Sequence, residues 1–166
     1  YGLAPGTTVK DYVTPKFIDI DYFFARRMEM MVEEGKNGFE MKARQLGFSE
    51  KMGGINLGWN FTFVRASQNV IVAGTDADQQ NTFNKTKNGL DNLKNTQFYK
   101  ERKKGGNSSD YLEAEDFKSQ LYGLTAKDNP QAVSRLAPYM CVFEEGGKWK
   151  KNQLIEAYNY VRPSQK

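Results

Sequence analysis

The pattern of apolar and polar positions divides the chain into stretches of two different periods. In "DIDYFFARRMEMMVEEGK" the apolar residues Phe23, Met28, Met31 and Val32 recur at helical spacing, and Gly35 and Asn37-Gly38 stop the run. The residues before it, 1–16, carry Gly, Pro and Thr and read as an irregular arm. "GFEMKA" is short and fits a strand entering a turn. "SEKMGGINLGWNFTFV" has the length of a helix, although Gly53, Gly54 and Gly58 each weaken it by roughly 1 kcal/mol relative to alanine. "NVIVAGT" (Asn69–Thr75) is a continuous β-branched run, the pattern of a buried parallel strand. "DADQQNTFNKTKNGLDNLKNTQFYKE" returns to helical spacing, with Asp76 as the expected N-cap and Phe83, Leu90 and Leu93 as its apolar stripe.

Beyond it, "RKKGGNSSD" reads as the most loop-like segment of the chain. "SQLYGLTA" is a short strand, and Tyr139–Phe143 of "PYMCVFEEGGKW" a second strongly apolar one that runs into two acids. "KKNQLIEAYNYV" closes the chain as a helix that stops before Pro163. Strands alternating with helices predict an α/β fold with a largely parallel sheet in one domain. No internal repeat or domain linker interrupts the 166 residues, enough for one domain with a substantial core.

Composition narrows the chemistry. The net charge of +4 permits a nucleic-acid or nucleotide partner without requiring one. No apolar run approaches the roughly 20 residues of a membrane span. The opening "YGLAPGTTVKDY" lacks the pattern of a signal peptide, and it starts without Met, as a processed or trimmed chain would. One cysteine, Cys141, and no histidine exclude a disulfide framework, give no basis for a Cys/His zinc site, and suit a reducing compartment such as cytoplasm. Catalysis would rest on carboxylates, lysines, arginines and hydroxyls.

Ligands of parallel α/β sheets bind at the carboxyl ends of strands, which directs attention to two stretches. In "KARQLGFSEK", Gly47 and Ser49 stand where the phosphate-loop pattern G-x-x-x-x-G-K-[ST] requires them, but Phe48 replaces the lysine. Lys42 and Arg44 supply charge from the other end of the loop, Gly47 gives backbone room, and Ser49 can open a helix and offer a hydroxyl to Mg²⁺. Alone, this stretch reads better as a basic turn on a solvated face, since degenerate motifs match by chance. In "MCVFEE" an apolar strand ends in Glu144 and Glu145, the arrangement in which one carboxylate holds Mg²⁺ and the next activates the attacking water. The two stretches occur in the expected order with a third strand between them.

"KARQLGFSEK", "NVIVAGTDAD" and "YGLTAKDNPQAVSRLAPYMCVFEEGGKW" together resemble the ATPase domain of the large terminase subunit of tailed bacteriophages, over Asp11 to about Tyr160. In one branch of that family the loop lysine stands at the start of the loop and an aromatic precedes the Ser/Thr, as do Lys42, Phe48 and Ser49 here. Arg44-Gln45 and Arg135 also match. The resemblance implies a P-loop NTPase fold of the ASCE type, a mostly parallel sheet with helices on both faces. It implies Mg²⁺-dependent ATP hydrolysis that drives double-stranded DNA into a capsid. Lys42, Arg44, Gln45, Gly47, Phe48 and Ser49 would bind nucleotide, Ser49 and Glu144 the metal, and Glu145 would be catalytic, with Arg44 or Arg135 as the transition-state arginine.

Implied partners are double-stranded DNA, the portal protein, the small terminase subunit and further copies in a five-membered ring. No membrane is involved. The implied location is host cytoplasm, transiently the portal vertex of the procapsid. The family's upstream adenine segment often contains Gln; here Tyr22, Phe24 and Arg26 stand in that region, within an amphipathic helix. The family's nuclease domain is not represented, so nuclease activity is not carried over.

A helicase-like P-loop ATPase would share both motifs but carry a DEAD-type acid motif, which "FEEG" is not. A non-catalytic basic α/β nucleic-acid-binding module would make Lys42 and Glu145 ordinary surface charges. "YKERKKGG" fits either DNA phosphates or cations at a helix C-terminus. Trp59 and Trp149 read as packing residues and Cys141 as a small hydrophobe.

Overall fold

The structure, a computed structural model, describes residues 2–3, 10–11, 19–39, 51–127, 129–150 and 152–162. The chain divides into two compact units, Tyr1–Arg44 and Gln45–Lys166. In the first, β1 (Gly2–Leu3) and β2 (Lys10–Asp11) pair antiparallel, and α1 spans Asp19–Glu33. The amide of Lys36 donates to Met31 O across Gly35, whose φ of +61° closes the helix without the Cβ clash another residue would meet. The expected apolar stripe of α1 is not its buried face. Phe23 and Val32 are exposed, whereas Asp21 and Phe24 are buried. The sequence contains apolar residues all around this helix, so periodicity alone could not fix its phase.

The second unit is built on a five-stranded sheet of order β4-β5-β6-β3-β7. Its strands are β3 (Gln68–Ala73), β4 (Arg102–Asn107), β5 (Tyr111–Ala114), β6 (Gln120–Thr125) and β7 (Met140–Glu144). β3 lies parallel to both β6 and β7, while β5 pairs antiparallel with β4 and β6. The sheet is thus mixed rather than largely parallel. The difference arises in "RKKGGNSSD", which forms strand β4 and the turn into β5 instead of a loop. Its Gly105 takes φ +82°, and β4 pairs at the sheet edge, where charged side chains remain solvated.

Strands β3 and β7 alternate between two covered faces. Val70 and Val72 pack with Val133, Trp149, Ala157 and Val161, the last two on the closing helix α4 (Gln153–Val161). Ile71 lies opposite Gly123 of β6. A Cβ on Gly123 would clash with the Gln79 amide and meet Phe83 at 3.2 Å, so that face is covered by α3 (Asp76–Asp91). Helices therefore lie on both faces. The N-cap of α3 is Thr75 rather than Asp76: its Oγ1 accepts from the Asp78 amide at 3.2 Å. The helix ends fifteen residues on, at Asp91, short of the basic cluster it was expected to carry. The segment after "SEK" is helical in two parts, a π-helical turn (Met52–Leu57) and α2 (Gly58–Phe63).

Candidate active site

Three pieces of chain pack around α3: the ends of β3 and β7 and the helical segment 51–63. β3 runs out through Gly74 and Thr75 directly into α3. β7 ends at Glu144, which lies opposite Ala73 in the register and so shares the α3 face. There Thr82 Oγ1 donates to Glu144 Oε1 at 2.9 Å, with both residues buried. This is the one hydrogen bond to that carboxylate among the described residues, and its other oxygen remains available to a ligand or water.

The third piece is the helical segment 51–63. A Cβ on Gly53 would stand 2.7 Å from Thr86 Oγ1 and 3.6 Å from Thr82 O, so this segment packs against the middle of α3. The far end of the segment meets the opposite edge of the sheet. Phe61 O accepts from Ser119 Oγ, Asn60 O accepts from Ser67 Oγ, and the Asn60 amide donates to Met140 Sδ, all just before or at the starts of β6, β3 and β7.

Glu145 leaves the strand in a left-handed conformation, φ +50° and ψ +46°, a sparsely populated region for a residue with a Cβ. The following 3₁₀ turn, Gly146–Lys148, is closed by Lys148 N donating to Glu145 O at 2.8 Å. Trp149 is buried beneath it, as expected, and its indole donates to Glu144 O at 2.8 Å. Lys148 Nζ reaches Asp78 Oδ1 at 2.8 Å and lies 3.9 Å from Glu145 Oε2. The hydrogen bond from Lys148, aided by Thr75, holds the Asp78 carboxyl below the usual carboxylate range.

Of the residues named from sequence, Glu144 and Glu145 meet at the carboxyl end of β7. Arg135 does not join them. It ends the 3₁₀ turn Pro130–Arg135, and the chain just after it is tied to the amino end of β3 by Ala137 N and Tyr139 N, which donate to the side chain and carbonyl of Gln68. A five-residue strand, roughly 17 Å, separates that end from Glu144. Lys42, Arg44, Gln45, Gly47, Phe48 and Ser49 lie outside the described residues. Thr82, Asp78 and Lys148 were missed; the one available signal was the placement of Thr82 and Thr86 on the apolar-facing side of α3.

No group of three His, Cys, Asp or Glu gathers around a metal position among the described residues, and Mg²⁺ commonly takes one or two protein oxygens and completes its shell with waters and phosphates. Glu144, with one oxygen held by Thr82, would supply at most one such oxygen.

The basic cluster is largely consumed by the fold. Arg102 is buried between the rings of Phe61 and Tyr99, 3.6 Å from Asp91. Lys103 donates to both oxygens of Glu113 at 3.0 Å, and Lys100 lies over the Phe117 ring. Trp59, expected to pack inside, is instead exposed and lies against Phe63 with the rings tilted by 40° at a centroid distance of 4.3 Å. No protein-family model matches the chain, and neither does any curated protein.

Proposed function

We propose that this chain is a P-loop ATPase module, the Mg²⁺-dependent motor part of a large terminase subunit that moves double-stranded DNA into a viral capsid. The observation that carries the reading is a parallel strand that ends in a buried acid, Glu144, held by Thr82, and passes directly into an exposed one, Glu145. In this reading Lys42 and Arg44 bind the phosphates, with Gln45 and Phe48 in the loop and Gly47 shaping the cradle. Ser49 and Glu144 hold Mg²⁺, which neutralises charge on the phosphates when bound. Glu145, exposed and turned out of the strand, takes a proton from the attacking water. With Arg135 distant from the acids of its own chain, Arg44 is the arginine assigned to the transition state. Partners follow as DNA, portal protein, small terminase subunit and neighbouring copies in a ring.

The reading of a basic nucleic-acid-binding module without catalysis loses support because Arg102 is turned inward beside Asp91 and Lys103 is paired with Glu113. The test is Mg-ATP turnover by the protein carrying this chain. Glu145→Gln lowers turnover by about 10²-fold or more while nucleotide still binds, and Lys42→Ala removes binding. Unchanged turnover in Glu145→Gln would overturn the assignment.

A further inference from the structure

We propose that α3 is the positioning platform for both acids: Thr82 orients Glu144, and Asp78, acting through Lys148, orients Glu145. The proposal rests on the ATPase reading above. Asp78 and Thr82 stand four residues apart and so lie on one side of the helix, one turn above the other. Each reaches one of two consecutive residues of β7 and its exit. Thr82 does so directly, with a buried hydroxyl whose bond to Glu144 Oε1 spans 62 residues of sequence. Asp78 does so through the Lys148 ammonium, which lies between it and Glu145.

Asp78 is itself fixed, because Thr75 Oγ1 donates to its Oδ2 at 2.7 Å. A line of contacts therefore runs from the end of β3, through the first turn of α3, to the residue after β7. Glu145 needs such support. A left-handed backbone at a residue with a Cβ persists only where its surroundings over-determine it. The Lys148 backbone closes the turn at Glu145 while the Lys148 side chain ties that turn to α3. Glu144 needs the hydroxyl for a different reason: fixing one oxygen sets the direction in which the other is presented to a metal-bound water. Thr82, Asp78 and Lys148 touch neither substrate nor metal in this scheme and are positioning residues.

The experiment compares Lys148→Met, Lys148→Arg, Asp78→Asn, Thr82→Val, Thr82→Ser and Glu145→Gln in the protein carrying this chain. Expected results are a kcat about tenfold lower in Lys148→Met and Asp78→Asn with KM for ATP within twofold of wild type, and recovery in Lys148→Arg. Thr82→Val should need several-fold more Mg²⁺ for half-maximal turnover, and Thr82→Ser should not. Without nucleotide, NMR shifts of residue 145 should lose their left-handed signature in Lys148→Met and keep it in Lys148→Arg. Lys148 is more than half exposed, so its replacement leaves the core intact even if Thr82→Val fails to fold. If Glu145→Gln is inactive while Lys148→Met and Asp78→Asn retain kcat and the backbone shifts, the platform is overturned and the ATPase reading stands. If Glu145→Gln keeps wild-type turnover, the ATPase reading falls first.

Discussion

Thr82 shows how much a single hydroxyl can carry. A buried carboxylate without a donor costs the desolvation of the group, about 1–3 kcal/mol. Thr82→Val should therefore lower unfolding stability by that amount in urea titrations, and Thr82→Ser by much less; equal losses in both would mean that the methyl group, not the hydroxyl, matters. Asp78 gives a pH signature. Its carboxyl is held below the usual range by the hydrogen bond from Lys148, so the folded state binds the proton more weakly than the unfolded chain. The stability it contributes is fully present above the ordinary carboxylate pKa, about 4, and is lost as pH falls through the lower folded-state value. Asp78→Asn should flatten the stability curve below about pH 4, as read by acid titration of the unfolding midpoint. Cys141 lies within β7, and burial pushes its thiol up to about 12. Alkylation at neutral pH should be roughly a thousandfold slower than for a free thiol and reach normal rates on denaturation; rapid labelling of the native protein would contradict this burial.

At the scale of elements, strands β3, β6 and β7 and helices α1, α3 and α4 could be read from sequence because each is a single strong signal: a β-branched run, an apolar strand before acids, or helical spacing with a stop. Strand β4 could not. Lys103, Lys104, Gly105 and Gly106 have low strand propensity, and the segment pairs because β5 lies beside it and Glu113 receives Lys103. The phase of α1 was likewise hidden, because its apolar residues surround it. The glycines in 51–63 read only as weakness, yet at Gly53 the segment approaches α3 too closely for a side chain to fit without a shift. Gly53→Ala should cost about 1–3 kcal/mol through overpacking against the Thr86 side chain and backbone. A neutral Gly53→Ala in thermal or chemical unfolding would mean that the two helices separate without penalty.

On the scale of the whole molecule, the sheet of the second unit has its most buried strand in β3, with parallel neighbours on both sides and Val70–Ala73 at most 1% exposed. Amides of β3 should be the last to exchange with solvent, opening only with global unfolding, while those of Lys103 and Lys104 on the edge strand exchange orders of magnitude sooner. Strong protection of β4 without any partner would contradict the edge position. By itself the sequence determined the α/β class, the two acids at the end of an apolar strand and the chemistry such acids can perform, because these are properties of neighbouring residues and of short periods. Only the tertiary structure decided the mixed topology, the burial of Arg102, the separation of Arg135 from Glu144 and the anchoring of both acids to one helix. Those depend on which segments meet across tens of residues, and no local pattern encodes a contact whose partner lies on another strand.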